Sequence, residues 1–171
     1  MSSSCGSGAA DLALRTNTLT IGGTSLIDQL IGFCSLYPDG ELFLTAPFFD
    51  EHVIQRILTN TSSAVALRIV VRTKDAARRM RTLLEERRRK CVIYVNAHLH
   101  AKLYVFECKN RVIAALIGSH NPTRAGSKTN IEIGVFLSAT PGRPEWQPIQ
   151  QAREYILSSA RFQDELPIGW R

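Results

Sequence analysis

Three short apolar runs, separated by stretches with helical spacing, constrain the possible folds of this chain more than any other feature. Glu41–Thr45, Ala66–Val71 and Cys91–Val95 are rich in Leu, Ile, Val and Phe. At five or six residues each they are too short for buried helices and read as strands. Ahead of the first, Thr24 or Ser25 can cap a helix that runs to about Tyr37, with Asp28 in its first turn and Leu26, Ile27, Leu30 and Ile31 on one face. Pro38-Asp39-Gly40 then forms a turn. Ala46-Pro47 closes the first strand, and Asp50 is a good N-cap for a helix carrying Val53, Ile54, Ile57 and Leu58. A third helix, Asp75 to about Lys90, puts Ala76, Ala77, Met80, Leu83 and Leu84 on one side. Helix–strand repeated three times predicts parallel strands with helices packed on the sheet.

Beyond Val95 the pattern changes. His100–Phe106 and Val112–Ile117 are two strands joined by the polar segment Glu107-Cys108-Lys109-Asn110-Arg111, which reads as an antiparallel hairpin. A loop with Pro122 and Gly126 leads into a last strand, Asn130–Leu137. Pro141–Pro144 is a turn, and Trp146–Ala160 is a closing helix. The expected fold class is α/β, a mixed, largely parallel sheet with helices on both faces. At 171 residues the chain suits one domain, with 1–12 as a flexible Ser- and Gly-rich leader and 13–171 as the domain.

Composition removes several classes. With 44% hydrophobic and 21% charged residues this is an ordinary globular chain, not a disordered one. No apolar run approaches the roughly 20 residues that span a bilayer, and no amphipathic segment suggests a stable membrane association. The N-terminus lacks the basic and apolar regions of a secretory signal. Cys5, Cys34, Cys91 and Cys108 form no Cys-x-x-Cys pair, so free thiols in a reducing cytoplasm are expected, with Cys34 and Cys91 in the core. The net charge of +6 favours a polyanionic partner.

The chemistry-bearing residues come in pairs two apart: His100 and Lys102, Ser119 and Asn121, Asn130 and Glu132. On a strand, residues two apart share a face. If the three strand ends are neighbours, six polar groups meet on one patch, and burying that many without partners costs several kcal/mol. Any one pair alone reads equally well as a solvated strand end.

His100-Ala101-Lys102, then Gly118-Ser119-His120-Asn121-Pro122-Thr123, then Gly126, Asn130 and Glu132 resemble the signature of the phospholipase D superfamily, in particular its small bacterial nucleases with one copy of the motif. The family pattern has an Asp four residues beyond the His-x-Lys triplet, where this chain has Glu107, and the turn that follows is longer than the family's usual Asp-Gly connection. The resemblance implies a metal-independent phosphodiesterase that needs no cofactor. In such a mechanism His100 attacks phosphorus and becomes phosphorylated, and a second histidine protonates the leaving oxygen. Lys102, Ser119 and Asn121 hold the non-bridging oxygens, and Glu132 fixes the tautomer of His100. One motif supplies one such histidine, so a homodimer with a shared active site is expected.

Positive charge and small size, together with the resemblance to the single-motif nucleases, imply nucleic acid, DNA in the first instance, with Arg124 and Lys128 in the loop between Asn121 and Glu132 as candidate contacts to its backbone phosphates. The same motif suits a phospholipid phosphodiesterase or phosphatidyl transferase, since the attacked group is the same. A nucleic-acid-binding module without turnover is a third reading. His98, His100 and Glu132 are a weaker metal-ligand set, because Lys102 beside them would repel a cation. Arg78, Arg79, Arg81, Arg87, Arg88 and Arg89 read as a solvated helix face, the last three complementing the helix C-terminus. Phe48 and Phe49 follow a strand end and either border the cleft or pack in the core, while Trp146 and Trp170 read as packing residues.

Overall fold

A computed structural model describes residues 13–19, 26–109, 112–119, 121–123, 132–139 and 144–166. In chain order the elements are β1 (Ala13–Leu19), α1 (Leu26–Ser35), β2 (Glu41–Thr45), α2 (Glu51–Asn60), β3 (Ala66–Val71), α3 (Lys74–Glu86), β4 (Cys91–Val95), β5 (Leu103–Cys108), β6 (Val112–Gly118), β7 (Glu132–Ala139), α4 (Gln147–Ser158) and β8 (Arg161–Leu166). A single 3₁₀ turn, Pro144–Trp146, leads into α4. The expected leader, 1–12, and Trp170 lie outside the described residues.

The local signals act as their chemistry predicts. Asp50 caps α2, its carboxylate accepting from His52 N–H at 2.8 Å. Thr73 caps α3 by accepting from Ala76 N–H at 3.1 Å, so that helix begins at Lys74. The turn at Gly40 is tight. A Cβ there would meet the Glu107 carbonyl oxygen at 2.6 Å and the Phe106 ring at 2.9 Å. Neither group belongs to a flexible chain end, so Gly40→Ala is expected to cost about 1–3 kcal/mol of stability, read as a lower midpoint of urea denaturation. An unchanged midpoint would show that the turn yields freely.

All eight strands form one sheet in the order β1-β7-β6-β5-β2-β3-β4-β8. The sheet is mixed as expected, but its parallel part is smaller than the helix–strand repeat implies. Among the described strands only β2–β3 and β3–β4 are parallel. The other five pairings are antiparallel. The expected hairpin is present, with Leu103 opposite Ile117 and Cys108 opposite Val112.

Alternation along the strands divides the core in two. Leu42, Leu44, Leu67, Ile69, Tyr104, Phe106, Ala114 and Leu116 face α1, α2 and α3. Phe43, Val70, Leu103, Val105 and Ala115 face α4, with Ile149, Ile156 and Trp146. Helices therefore cover both faces, as expected. Cys34 and Cys91 are core residues, and Cys108 is buried too. Burial pushes the Cys34 thiol up to about 12, against a smaller opposing effect from a backbone hydrogen bond.

Candidate active site

The sheet order fixes where the polar pairs can go. β2, β3 and β4 end on one side of the molecule, and β5 starts there, antiparallel to β2, with Leu103 opposite Thr45. Because β4 and β5 are three strand spacings apart, the chain from Asn96 to Lys102 must cross the ends of β3 and β2, about 14 Å. Crossings of this kind, at the carboxyl ends of parallel strands, are where open α/β sheets put their ligand sites.

Asn96 organises the start of the crossing. Its N–H continues the ladder to Val71 O at 2.9 Å, and its carbonyl accepts from Leu99 N–H at 3.0 Å. Its side chain accepts from His98 N–H at 2.9 Å and donates to Ser159 Oγ at 3.1 Å. The exposure then alternates. Leu99 is buried and Ala101 packs against the same α4-side core, whereas His100 between them is exposed. Lys102 is half-buried, and its Nζ donates to the His100 carbonyl at 3.2 Å. His100 and Lys102 thus precede β5 and do not belong to it, a correction to the strand expected from His100. Anchoring of the residues on either side of His100, not a strand pleat, turns it outward.

Ser119 and Asn121 come next, beyond the end of β6 and outside any strand. Gly118 N–H donates to Lys102 O at 3.4 Å, which sets the start of this loop beside the end of the crossing. Ser119 is exposed and Asn121 half-buried. Asn121 Oδ1 is buried without a hydrogen-bond partner among the described residues, a costly state for an amide oxygen. The Pro122 carbonyl accepts from Asp50 N–H at 2.8 Å, joining this loop to the one that follows β2.

β7 starts on the same side, since Gly134 pairs with Gly118 and Glu132 with Leu19 at the end of β1. The described backbone therefore brings the segments of His100, Lys102, Ser119, Asn121 and Glu132 to one end of the sheet. The Glu132 side chain, and all of His120, Arg124, Gly126, Lys128 and Asn130, lie outside the described residues. The alternative ligand set of His98, His100 and Glu132 turns on that same Glu132 side chain.

Glu107 is elsewhere. It sits five residues along from Lys102, about 17 Å toward the far end of β5. There Arg153 from α4 donates to it at 3.0 Å and also pairs with Glu41, while Arg68 reaches Glu41 at 2.8 Å. The Arg153 guanidinium also lies 5.7 Å from the centre of the Phe43 ring. A cleft of about 370 Å³ opens beside these groups, at the end of the sheet away from His100. Glu107 thus ties α4 to the sheet.

Two features of the His100 end escape a reading of motifs. Thr45 is fully buried beside Leu103, its hydroxyl unpartnered among the described residues. Arg72, just past the end of β3, donates from Nε to Ala97 O at 3.3 Å and so braces the crossing. The position of Arg72 right after a predicted parallel strand is the signal that could have found it.

Comparison with known proteins speaks to the family and the fold. Residues 40–157, more than half of the chain, match the family model described as cardiolipin synthase, PLD-like domain. No curated protein matches by sequence. Among solved structures, Nuc of Salmonella typhimurium, described as a phospholipase D family member, is similar at a TM-score of 0.61 and 14% identity, over 90% of this chain and 99% of that one. NucT of Helicobacter pylori aligns at a TM-score of 0.64 and 12% identity, over 90% and 100%. A phosphatidylserine synthase of Haemophilus influenzae gives 0.64 and 13%, over 91% of this chain and 41% of its own. At such identities the structures speak for the fold, and the sequence match over residues 40–157 speaks for the family: this chain belongs to the phospholipase D superfamily of phosphodiesterases.

Proposed function

We propose that the protein is a metal-independent nuclease, acting on DNA in the first instance, that works through a phosphohistidine on His100 in a two-fold dimer. The observation that carries this reading is the exposed His100 held between packed Leu99 and Ala101, with Lys102 beside it and the Ser119–Asn121 loop adjoining. A neutral imidazole nitrogen of His100 attacks phosphorus in line, forming a P–N bond as the P–O bond to the leaving nucleoside breaks. The second subunit's copy of this histidine gives its proton to the leaving oxygen. Water then attacks phosphorus, loses a proton to that same histidine, and breaks the P–N bond. Lys102 with Ser119 and Asn121 neutralises the non-bridging oxygens, where charge gathers in the transition state. Glu132 accepts a hydrogen bond from the other ring nitrogen and holds the tautomer.

The net charge of +6 supports a nucleic-acid substrate, with Arg124 and Lys128 reaching backbone phosphates near the site. No helix among the described residues is long and apolar enough to cross a membrane. The likeness to a phosphatidylserine synthase favours a second reading, transfer or hydrolysis at a phospholipid ester. One comparison separates them. The protein is incubated in excess EDTA with labelled single- and double-stranded DNA, and separately with phosphatidylglycerol vesicles. DNA cleavage without release of lipid headgroup is expected. Headgroup release without DNA cleavage would transfer the site to lipids, and cleavage of DNA only when a divalent metal is restored would reject the metal-free mechanism.

A further inference from the structure

Phe48 is 59% exposed at the His100 end of the sheet, an unusual place for a large apolar ring. Phe49 beside it packs against the helix-covered core, so the two aromatics have different roles. The backbone that carries the ring is held in a defined place. Pro47 before it is buried, and Asp50 after it is fixed by its N–H bond to Pro122 O at 2.8 Å and by its cap of α2. Phe48 lies three residues beyond the Thr45–Leu103 pair along one strand, and His100 lies three residues before that pair along the other. Each is thus at most about 10 Å of chain from the same ladder end.

Cations adjoin it. Val70 pairs with Thr45, so Arg72 leaves the neighbouring strand at the level of Pro47. Its Nε bond to Ala97 O holds the guanidinium against the crossing that carries His100, and no carboxylate among the described residues pairs with it. Lys74, two residues on, is exposed and likewise without a carboxylate partner among the described residues. An apolar ring at the strand end where Arg72 and Lys74 follow the neighbouring strand, both without a carboxylate partner among the described residues, fits alternating planar bases and phosphates better than acyl chains. A double helix hides its base faces, whereas an unpaired base offers one for stacking.

We propose that Phe48 and Arg72 extend the site into a subsite for single-stranded nucleic acid, Phe48 stacking on a base near the cleaved phosphate and Arg72 pairing with the next phosphate. The inference rests on the nuclease reading above and adds the form of the substrate. Phe48 positions the strand, and the chemistry stays with His100.

The test is steady-state cleavage of a labelled single-stranded oligonucleotide and its duplex in EDTA, over a range of salt. Phe48→Ala is expected to raise KM for the single strand about tenfold, with a smaller effect on the duplex, and Phe48→Trp to restore it. Arg72→Gln is expected to flatten the dependence of log affinity on log salt by about one unit. An active wild type with KM unchanged in Phe48→Ala, or equal losses on single strand and duplex, would overturn the subsite and leave the nuclease intact. A wild type that cleaves no DNA would overturn both. Loss of phosphatidylglycerol vesicle binding in Phe48→Ala, with single-strand affinity kept, would assign the ring to a membrane surface instead.

Discussion

On the proposed mechanism, His100→Ala is expected to lower DNA cleavage in EDTA by at least about a thousandfold, because it would remove the atom assigned there to form the bond to phosphorus. Nothing in the fold should suffer with it. The side chain is exposed, its neighbours Leu99 and Ala101 provide the packing, and Lys102 bonds to the backbone carbonyl of residue 100, which Ala retains. Stability should therefore stay within about 0.5 kcal/mol of the wild type. The variant also probes the shared site. If one site needs the histidine of both subunits, an equal, fully exchanged mixture of wild type and His100→Ala keeps about a quarter of the wild-type activity, since only the dimers with two wild-type chains work. Independent sites would keep about half. A residual rate within tenfold of the wild type would mean that another group attacks phosphorus, and a mixture at one half would remove the shared cleft while keeping the nucleophile.

The sequence was most readable where a local rule decides the structure. Asp50 before Val53, Ile54, Ile57 and Leu58 is a cap followed by an apolar stripe, and α2 follows from those residues alone. Runs buried on both faces, such as Ala66–Val71, declare themselves in the same way. The edge strands do not. Among the described residues β1, Ala-Leu-Arg-Thr-Asn-Thr-Leu, pairs only with β7, and β8, Arg-Phe-Gln-Asp-Glu-Leu, only with β4, and their polar residues carry little strand signal until those partners are there to bond them. Those edges, with the hairpin, turned an expected largely parallel sheet into one with two parallel pairings. The grouping of the site segments was legible from the spacing of polar pairs. The state of His100 was not, because the boundary between the crossing and β5 is set by the distance from β4 to β5, a matter of topology and not of local pattern. Arg89 escaped for a related reason. In the run Arg87-Arg88-Arg89-Lys90 nothing marks one arginine as inward, yet Arg88 takes a left-handed φ of 49° and reverses the chain at the end of α3. Arg88 N–H then bonds Glu85 O at 2.9 Å and Arg89 N–H bonds Leu84 O at 3.1 Å, and the next side chain turns in.

Arg89→Met is accordingly expected to be among the most destabilising single changes in the chain, at about 3 kcal/mol, or a fall of roughly 6–12 °C in the melting midpoint. Arg89 is 4% exposed, and its guanidinium donates to Leu58 O at 3.4 Å, Thr61 O at 3.0 Å, Thr61 Oγ1 at 3.2 Å and Val65 O at 3.3 Å. These acceptors lie at the end of α2 and in the loop to β3, where helix carbonyls lack partners of their own. Burial disfavours the charged guanidinium, an effect that Cys91 partly opposes, so hydrogen bonds to several acceptors have to compensate for desolvation. Met fills similar volume but offers a donor to none of the three carbonyls, while the Thr61 hydroxyl keeps only its own donation to Ile57 O at 2.8 Å. Arg89→Lys should recover less than half of the loss, because one ammonium on a flexible stem cannot reproduce a planar fork. Equal stability of Lys and Arg would mean that charge alone suffices, and a loss below 0.5 kcal/mol for Met would mean that water replaces the guanidinium at those carbonyls. The consequence for function is specific. Arg89 holds the far end of α2, whereas the near end carries Asp50 and its bond to the Asn121–Pro122 loop. Well below its melting point the variant should therefore keep the site geometry and its activity, and lose them together as α2 detaches on heating.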